Sequence, residues 1–328
     1  MKFHRRRFLH LVGVAAAVAV LSVTVTGHGA WSQTARTIKV VVPVQPGGGT
    51  DFLARVLGEE IGRAQGQTMV IENRPGAGTV IGTEAASRAA PDGNTLLINT
   101  PNLVIGAHLR KLTYDPLTSF APICELVNSP TVIAASVASP CRTLADLLSA
   151  ARAQPGNLTL ASVGPGTTLH IASEKLKQAT NVNMIYVPFS GTGPTVNALL
   201  GQHITAVLAE YPAVAEQISA GKLRALATGS PTRIESLSEL PTVAGSGYPG
   251  FEVDVWWGVF APAMTPKEIV SRLATSFASA VQAPEIKAKL IALGFYPVGV
   301  CGADFAAYLR RQYEEYGRVI REANIKGE

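Results

Sequence analysis

The sequence predicts an α/β protein of two lobes, joined by two crossing strands and separated by a ligand cleft. Short apolar strands alternate with amphipathic helices along most of the chain. The alternation stops at a proline-punctuated segment without helical periodicity, YDPLTSFAPICELVNSP, and resumes near residue 130. Repeated β-α-β units of this kind indicate a mostly parallel sheet with helices on both faces.

The first lobe opens with alternating strands and helices. The predicted strands are TIKVVVPV, TMVIEN and NTLLIN, and the helices between them are DFLARVLGEEIGRAQG and VIGTEAASRAA. The carboxyl ends of parallel strands lie at one edge of a sheet, where ligands of such folds bind. We therefore expect functional residues in the loops that follow these strands.

The second lobe repeats the pattern. Its predicted strands are TVIAASV, LTLASV, NMIYVPF, ITAVLA and LRALAT, and its helices are TLADLLSAARAQPG, TTLHIASEKLKQATN, PTVNALLGQ and AVAEQISAGK. We place this lobe at residues 125–252. The first lobe then comprises residues 36–124 and 253–328.

The return to the first lobe is predicted at FEVDVWWGVFAP, where Trp256 and Trp257 should point to opposite faces and pack in the core. Thr265, Pro266 and Glu268 predict a capping box with proline at the first helical position. A short strand, FYPVGV, and a last helix at about residues 303–323 complete the lobe.

Residues 1–35 have the features of an export signal. A basic run, MKFHRRRFLHL, precedes an apolar stretch and then small and polar residues, which predicts a signal peptide cleaved at about residues 30–35. Arg5 and Arg6, followed by RFL, suggest the twin-arginine route, although basic residues also precede general secretory signals. The alternative is a membrane anchor, but the apolar stretch is shorter than the roughly 20 residues that a span needs. We expect a periplasmic protein.

The charge balance argues against nucleic acid as a partner. The formal net charge is +5, but the leader holds four of the 28 Lys and Arg residues and no acid, so the rest is nearly neutral. No basic stretch interleaved with aromatic residues follows the leader. We exclude nucleic-acid binding, since that function needs a basic surface.

Glycine-rich loops follow several predicted strands and precede helices. They are PGGGTD, RPGAGTVIGTE, SVGPGTTLH and PFSGTGPT, with the polar loop NTPN among them. Glycines before a helix permit an anion site made of backbone amides. The alternative for PGGGTD alone is a tight turn with Thr50 or Asp51 as the helix cap. The loop lacks GK[ST] and GxGxxG, so neither a Walker loop nor a dinucleotide site is predicted.

No motif of a known catalytic or metal site is present. GxSxG, HExxH and the zinc deaminase signature are absent from the sequence, and we predict no metal and no cofactor. His170, beside a glycine loop, is a candidate base or ligand contact, or a plain helix-face histidine. Ser162 and Ser190 have no identifiable partner and suit hydrogen-bond donors better than nucleophiles. Tyr211 ends a strand and is a candidate cleft residue, with Glu210 beside it turned aside or facing a donor group of the ligand.

Together these segments resemble the solute receptors of tripartite tricarboxylate transporters, also called the Bug family, which have the periplasmic binding protein type II fold. The resemblance runs from about Ile38 to the C-terminus. It rests on VVPVQPGGGTD, ENRPGAGTVIG, PDGNTLL, YDPLTSFAPI, SVGPGTTLH, VPFSGTGPTVNALLGQ, AGKLRALA, LPTVAGSGYPGFE and WWGVFAP.

The resemblance implies a non-enzymatic receptor that binds a small carboxylate and delivers it to membrane permease subunits. It implies a monomer without cofactor. The ligand loops that it implies here contain Gly47, Gly48, Gly49, Thr50 and Asp51; Thr100, Pro101 and Asn102; Gly164, Pro165, Gly166, Thr167, Thr168 and His170; and Ser190, Gly191, Thr192 and Gly193. Ala209 and Tyr211 are expected beside them.

Two positions depart from the family pattern. Near the end of AVLAEY the family has an acidic and then a polar residue, where this chain has Ala209 and Glu210. Phe189 and Ser190 replace an aromatic-basic pair before the glycine. Both changes are expected in the cleft, so the ligand's identity does not follow from the resemblance. The alternatives are an exported enzyme using His170 and a loop serine, and a ligand-sensing partner of a membrane kinase.

Three cysteines are too few and too widely spaced for a metal or redox motif. Cys124 lies in the outgoing crossing, and Cys301 follows a strand that is expected to return beside it. In an oxidising compartment we predict a Cys124–Cys301 disulfide and a free thiol at Cys141.

Overall fold

A computed structural model describes residues 37–189 and 191–326 of the chain. The predicted leader and Ser190 lie outside these residues. Ten strands form one sheet within the described part. They are β1 (Thr37–Val42), β2 (Thr68–Asn73), β3 (Thr95–Asn99), β4 (Phe120–Ser136), β5 (Thr159–Val163), β6 (Ile185–Phe189), β7 (Ala206–Glu210), β8 (Leu223–Thr228), β9 (Asp254–Pro262) and β10 (Tyr296–Cys301).

Helices cover the sheet. They are α1 (Gly49–Gln65), α2 (Val80–Ser87), α3 (Asn102–Leu109), α4 (Leu144–Ala153), α5 (Thr168–Thr180), α6 (Thr192–Leu200), α7 (Tyr211–Ser219), α8 (Lys267–Gln282), α9 (Pro284–Ala292) and α10 (Ala303–Glu322). Short 3-10 turns lie at Ala77–Thr79, Glu235–Leu237 and Ala244–Ser246. Among the residues that the structure describes, no helix combines the length and apolar character needed to cross a bilayer.

The sheet has two halves that share strand β4. Its order is β2-β1-β3-β9-β4-β7-β5-β6, and β10 and β8 also pair with β4. β1 is parallel to β2 and β3, and β5 is parallel to β6 and β7. β4 pairs with β9 up to Pro130 and with β7 from Thr131 onward. We call the strands on either side of this change the first half (β1–β3, β9 and β10) and the second half (β5–β8).

The α/β fold is confirmed, and strand alternation explains its core. Val40 and Val42 pack on one face of the first half with residues of α1 and α8, whereas Val41 packs on the other with residues of α3 and α10. Trp256 and Trp257, both buried, join opposite faces in the same way, as predicted. Each face of a strand buried on both sides must be apolar, which accounts for the continuous run VVV.

Three local predictions differ from the structure. The proline-punctuated segment between the predicted lobes, residues 114–130, is not irregular throughout, because residues 120–136 form the single strand β4. The capping box before α8 is wrong: Pro266 is the N-cap residue, and Thr265 Oγ1 donates to the Pro262 carbonyl instead. Helices α3 and α9 were not predicted; α9 is short and separated from α8 by only one residue. A capping box does occur at the start of α4, between Thr143 and Asp146.

A disulfide joins strands β4 and β10. β10 runs antiparallel to β4 and places Cys301 opposite Cys124. The two residues form a disulfide with their Cα atoms 4.0 Å apart, and Cys141 is free and buried. The pairing agrees with the sequence-based expectation. The covalent bond fixes the last strand to the central strand of the sheet.

Candidate functional site

The predicted ligand loops lie at the carboxyl ends of parallel strands in both halves. In the first half, residues 43–48 follow β1 and residues 100–101 follow β3, its parallel neighbour. In the second half, residues 164–167 follow β5 and residue 191 lies just beyond β6. The two sets meet where Asn102 Oδ1 accepts hydrogen bonds of 3.2 Å from Thr168 N and Oγ1. The structure therefore brings these four loops into one neighbourhood.

The first glycine loop ends in a helix N-terminus that has no side-chain cap. Gly48 is the N-cap residue of α1, and neither Thr50 nor Asp51 caps the helix. The first amides of a helix have no intrahelical acceptor and lie at the positive end of its dipole. This N-terminus can therefore bind an anion through backbone N–H groups. The structure thus excludes the alternative in which Thr50 or Asp51 serves as the cap.

Asp51 acts on the loop itself. Its buried carboxylate accepts from Gly47 N at 2.9 Å, from Arg55 Nε at 3.0 Å and from Asn73 Nδ2 at 2.9 Å. Burial favours the neutral acid, but these hydrogen bonds and the Arg55 charge outweigh it and hold the pKa of Asp51 below its usual value. The Gly47 amide is therefore engaged within the loop, which leaves the amides that follow it for a ligand.

Contacts from the core fix the rest of the loop. Thr50 Oγ1 accepts a hydrogen bond of 2.9 Å from Trp257 Nε1 on β9. A Cβ atom at Gly49 would lie 3.1 Å from the Phe295 ring and 3.8 Å from Trp257. The backbone of Gly49 can pack this closely against the aromatic rings because it has no side chain. The loop is thus held in place from below by two buried rings.

The loop after β3 is ordered by buried polar contacts. Thr100 N donates to Asn99 Oδ1 at 2.8 Å, and Asn99 Nδ2 donates to Thr83 Oγ1 at 2.9 Å. Pro101 is the N-cap residue of α3. Of the predicted residues here, Asn102 is the one whose side chain reaches the second half.

In the second half, His170 supports the loop Gly164–Thr168. Its Nδ1 accepts from Gly166 N at 3.0 Å, and its ring stacks on Tyr186 with centroids 4.2 Å apart. Burial lowers the pKa of His170, and the attraction of Glu174 offsets only part of this effect. Because Nδ1 accepts a hydrogen bond, the neutral ring carries its proton on Nε2. Thr167 caps α5 by accepting from His170 N.

The contacts of His170 do not form a nucleophile-base pair. Ser162 Oγ lies 3.1 Å from the Tyr186 hydroxyl, and no hydrogen bond joins Ser162 to His170 among the described residues. Ser190 lies outside the described part of the chain. The arrangement fits a binding loop better than an acyl-transfer site, which requires the nucleophile within reach of its base.

Helix α6 presents a second uncapped N-terminus. Gly191 is its N-cap residue and makes no side-chain cap bond. Gly193 lies in the exposed first turn, and a Cβ atom there would meet nothing within 4 Å. Gly164 N donates to the Phe189 carbonyl at 2.8 Å, so the loops before α5 and α6 are adjacent.

Among the described residues, no hydrogen bond joins the Tyr211 side chain to the glycine loops. Its hydroxyl lies 2.7 Å from Ser236 Oγ, and its ring packs in the core of the second half against Gly294. Ala209 is buried and pairs with Val132. Glu210 is half-buried, and burial raises its pKa to about 7. Ligand contacts at Ala209 and Tyr211 stay a prediction.

Several supporting residues were not predicted. Arg55 and Asn73 hold Asp51, Tyr186 stacks on His170, and Trp257 reaches Thr50 across 207 residues of sequence. Only Arg55 had a local signal, since it lies four residues after Asp51 on a helix. The described residues contain no group of three or more His, Cys, Asp or Glu side chains suited to a metal ion.

Comparison with known proteins identifies similar chains. The sequence profile described as "Tripartite tricarboxylate transporter family receptor" matches residues 53–325. Protein BugT of Bordetella pertussis is 32% identical over 323 residues, which are 98% of this chain and 98% of BugT.

Solved structures agree with this result. Periplasmic binding protein BugD has a TM-score of 0.79 and 32% identity, covering 89% of this chain and 99% of BugD. Rpa4515 of Rhodopseudomonas palustris, solved with adipate, has a TM-score of 0.83 and 32% identity, covering 91% of this chain and all of that chain (100%). MatC of the same organism, with bound malate, has a TM-score of 0.78 and 29% identity, covering 88% and 99%.

Proposed function

The chain belongs to the family of tripartite tricarboxylate transporter receptors, whose members are solute-binding proteins rather than enzymes, and we propose that it binds a small mono- or dicarboxylate. The observation that carries the proposal is the pair of uncapped helix N-termini, one in each half, at Gly48 and Gly191. Two such ends provide backbone donors and dipole charge for carboxylate oxygens without a fixed positive charge.

The relatives solved with adipate and malate support a dicarboxylate as the first ligand to test. The first carboxylate would bind the amides that follow Gly47, because the loop is already ordered by Asp51 and Thr50. The second-half loops at Gly164–Thr168 and Gly191–Gly193 would then enclose the other end. Binding that favours the closed arrangement shifts the population towards it.

The closed, loaded form would be recognised by the permease subunits of a tripartite tricarboxylate-type transporter. This step requires a periplasmic protein, which accords with the predicted signal peptide at residues 1–35 and a possible twin-arginine route. A monomer with one cleft is sufficient for this function.

The test is a thermal-shift titration of the mature protein with adipate, malate and simple monocarboxylates, in wild type and Gly48→Val. At a ligand concentration of 100 times Kd, binding stabilises the folded state by about 2.7 kcal/mol. Gly48 has φ −84°, and the nearest atom to an added Cβ is Gln45 O at 3.9 Å, so valine fits the fold. We expect the valine to obstruct the amides and abolish the ligand-dependent shift.

Gly48→Ala and Gly193→Val complete the design. Alanine at Gly48 adds one methyl group and should reduce the shift less than valine does. Gly193→Val, on the exposed first turn of α6, tests the second half independently. If Gly48→Val kept the full ligand-dependent rise in melting temperature, the first loop would not be part of the binding site.

A further inference from the structure

A polar cavity that contains none of the glycine loops lies beneath helix α10. Its volume is about 470 Å³, within the range of small-molecule sites. β4 and β9 form its floor, and α5 and α10 enclose it. We call it the acidic cavity; its principal side chains are Glu125, Asn128, Lys175, Asp254, Tyr308 and Tyr316.

Two carboxyl groups in the acidic cavity have no basic partner among residues 37–189 and 191–326. Glu125 is 7% exposed and makes no side-chain hydrogen bond or ion pair with any described residue. The side chain of Asp254, on the neighbouring strand, accepts one hydrogen bond from the described residues, and its donor is Ser230 Oγ. Burial and the nearby Asp254 raise the pKa of Glu125 to about 7, and burial raises that of Asp254 to about 6. Both shifts indicate charges that the cavity does not compensate.

The two bases of the lining, Lys175 and Arg311, make contacts with lining residues other than Glu125 and Asp254. Lys175 Nζ donates to Glu315 Oε1 at 2.9 Å and to the Glu252 carbonyl at 2.8 Å. The Arg311 guanidinium lies over the Tyr308 ring, 5.7 Å from its centroid. Glu252 and Glu315 add two further acids to the lining. The carboxyl groups therefore outnumber the bases, and the cavity attracts cations.

Tyrosine rings complete the lining. Tyr308 and Tyr316 are half-buried on α10, and burial raises the pKa of each, so both phenols stay neutral. A neutral phenol oxygen accepts hydrogen bonds, and an aromatic face attracts a cation. No cluster suited to a metal ion occurs among residues 37–189 and 191–326, so the lining fits an organic cation better than a metal.

We propose that the acidic cavity is a binding site for a small primary ammonium ion, of the class of alkylamines and short diamines. The ammonium group donates to Glu125 and Asp254, and its alkyl part lies against the rings of Tyr308 and Tyr316. The site uses none of the residues assigned to carboxylate binding. It is therefore independent of the proposed function, and the failure of either leaves the other intact.

Isothermal titration calorimetry of the mature protein at pH 8 tests the site with 1,4-diaminobutane. We expect saturable binding of the diamine and none of 1,4-butanediol, which matches its length but has no charge. Glu125→Gln removes one charged acceptor without changing its shape, and should weaken binding by about tenfold or more. Lowering the pH below 6 should also weaken binding, because Glu125 and Asp254 then become protonated.

Glu314→Gln is the matched control. Glu314 lies on the exposed side of α10, next to the cavity residue Glu315. The Glu314→Gln variant should therefore bind the diamine with the affinity of the wild type. Equal affinity in Glu125→Gln and wild type, equal binding of the diol, or binding of Na⁺ or Mg²⁺ without the diamine would each overturn the proposal. Folding is checked by the thermal unfolding of each variant.

Discussion

Asp51 and His170 are both polar residues of predicted ligand loops, and both use their hydrogen bonds on the loops themselves. Asp51 accepts from Gly47 N, and His170 accepts from Gly166 N. The sequence drew attention to both residues through the glycines around them. It did not distinguish a ligand contact from a loop support, because that difference depends on hydrogen-bond direction and on partners distant in sequence, such as Asn73.

Glu125 predicts a pH dependence of stability. Its pKa is about 7 in the folded protein against an ordinary value of 4.5, so the folded state binds the proton more tightly than the unfolded state. Stability is therefore lost as the pH rises from 4.5 to about 7. Glu125→Gln should remove this loss and stabilise the protein at pH 8 by at most about 3 kcal/mol, with little effect at pH 4.

Urea unfolding of wild type and Glu125→Gln at both pH values measures this difference. Because each comparison is made at one pH, titration of groups that do not interact with Glu125, such as Glu210, largely cancels. Glu314→Gln serves as the exposed control. A difference between Glu125→Gln and wild type that is the same at pH 4 and pH 8 would contradict the assignment.

At the scale of elements, periodicity predicted most of the alternating strands and helices, since apolar residues repeat with a clear period there. The prediction was less accurate at residues 114–130, where prolines suggested a loop and the structure has the start of β4. Prolines at Pro122 and Pro130 are compatible with this strand because its pairing with β9 is irregular near Pro122 and ends at Pro130. Such irregularities depend on partner strands and have no local sequence signal.

The disulfide gives a prediction about β10. It closes a separation of 177 residues, and removing a bond of this kind costs about 2–5 kcal/mol. Cys124→Ala combined with Cys301→Ala should lower the free energy of unfolding by that amount. Cys141→Ala removes the free thiol without breaking a cross-link and is the control.

Alkylation followed by mass mapping of the protein from the periplasm checks the bond itself. We expect only Cys141 to be modified, and only after unfolding because it is buried. Labelling of both Cys124 and Cys301 in unreduced protein would contradict the pairing.

At the scale of the molecule, the two halves share strand β4, and hydrogen bonds between Asn102 and Thr168 are one further contact between them. A double-mutant cycle with Asn102→Ala and Thr168→Val isolates the hydrogen bond from Thr168 Oγ1 to Asn102 Oδ1, since valine keeps the shape of threonine and its backbone N–H but lacks the hydroxyl. We expect a coupling of about 1 kcal/mol in the free energy of unfolding. Additive effects of the two substitutions would mean that the hydrogen bond from the Thr168 hydroxyl does not stabilise the folded chain.

The continuity of the sheet has a consequence for the order of folding. Strands β5–β8 and the end of β4 come from one uninterrupted segment, residues 131–228, so this half needs only nearby strands. The first half is incomplete without β9 and β10, which come from residues 254–301. Contacts of high sequence separation form slowly, because long loops must close first. A chain synthesised from its N-terminus can therefore complete the later half first, while β1, β2 and β3 pair with one another and β3 lacks its other neighbour until β9 has been made.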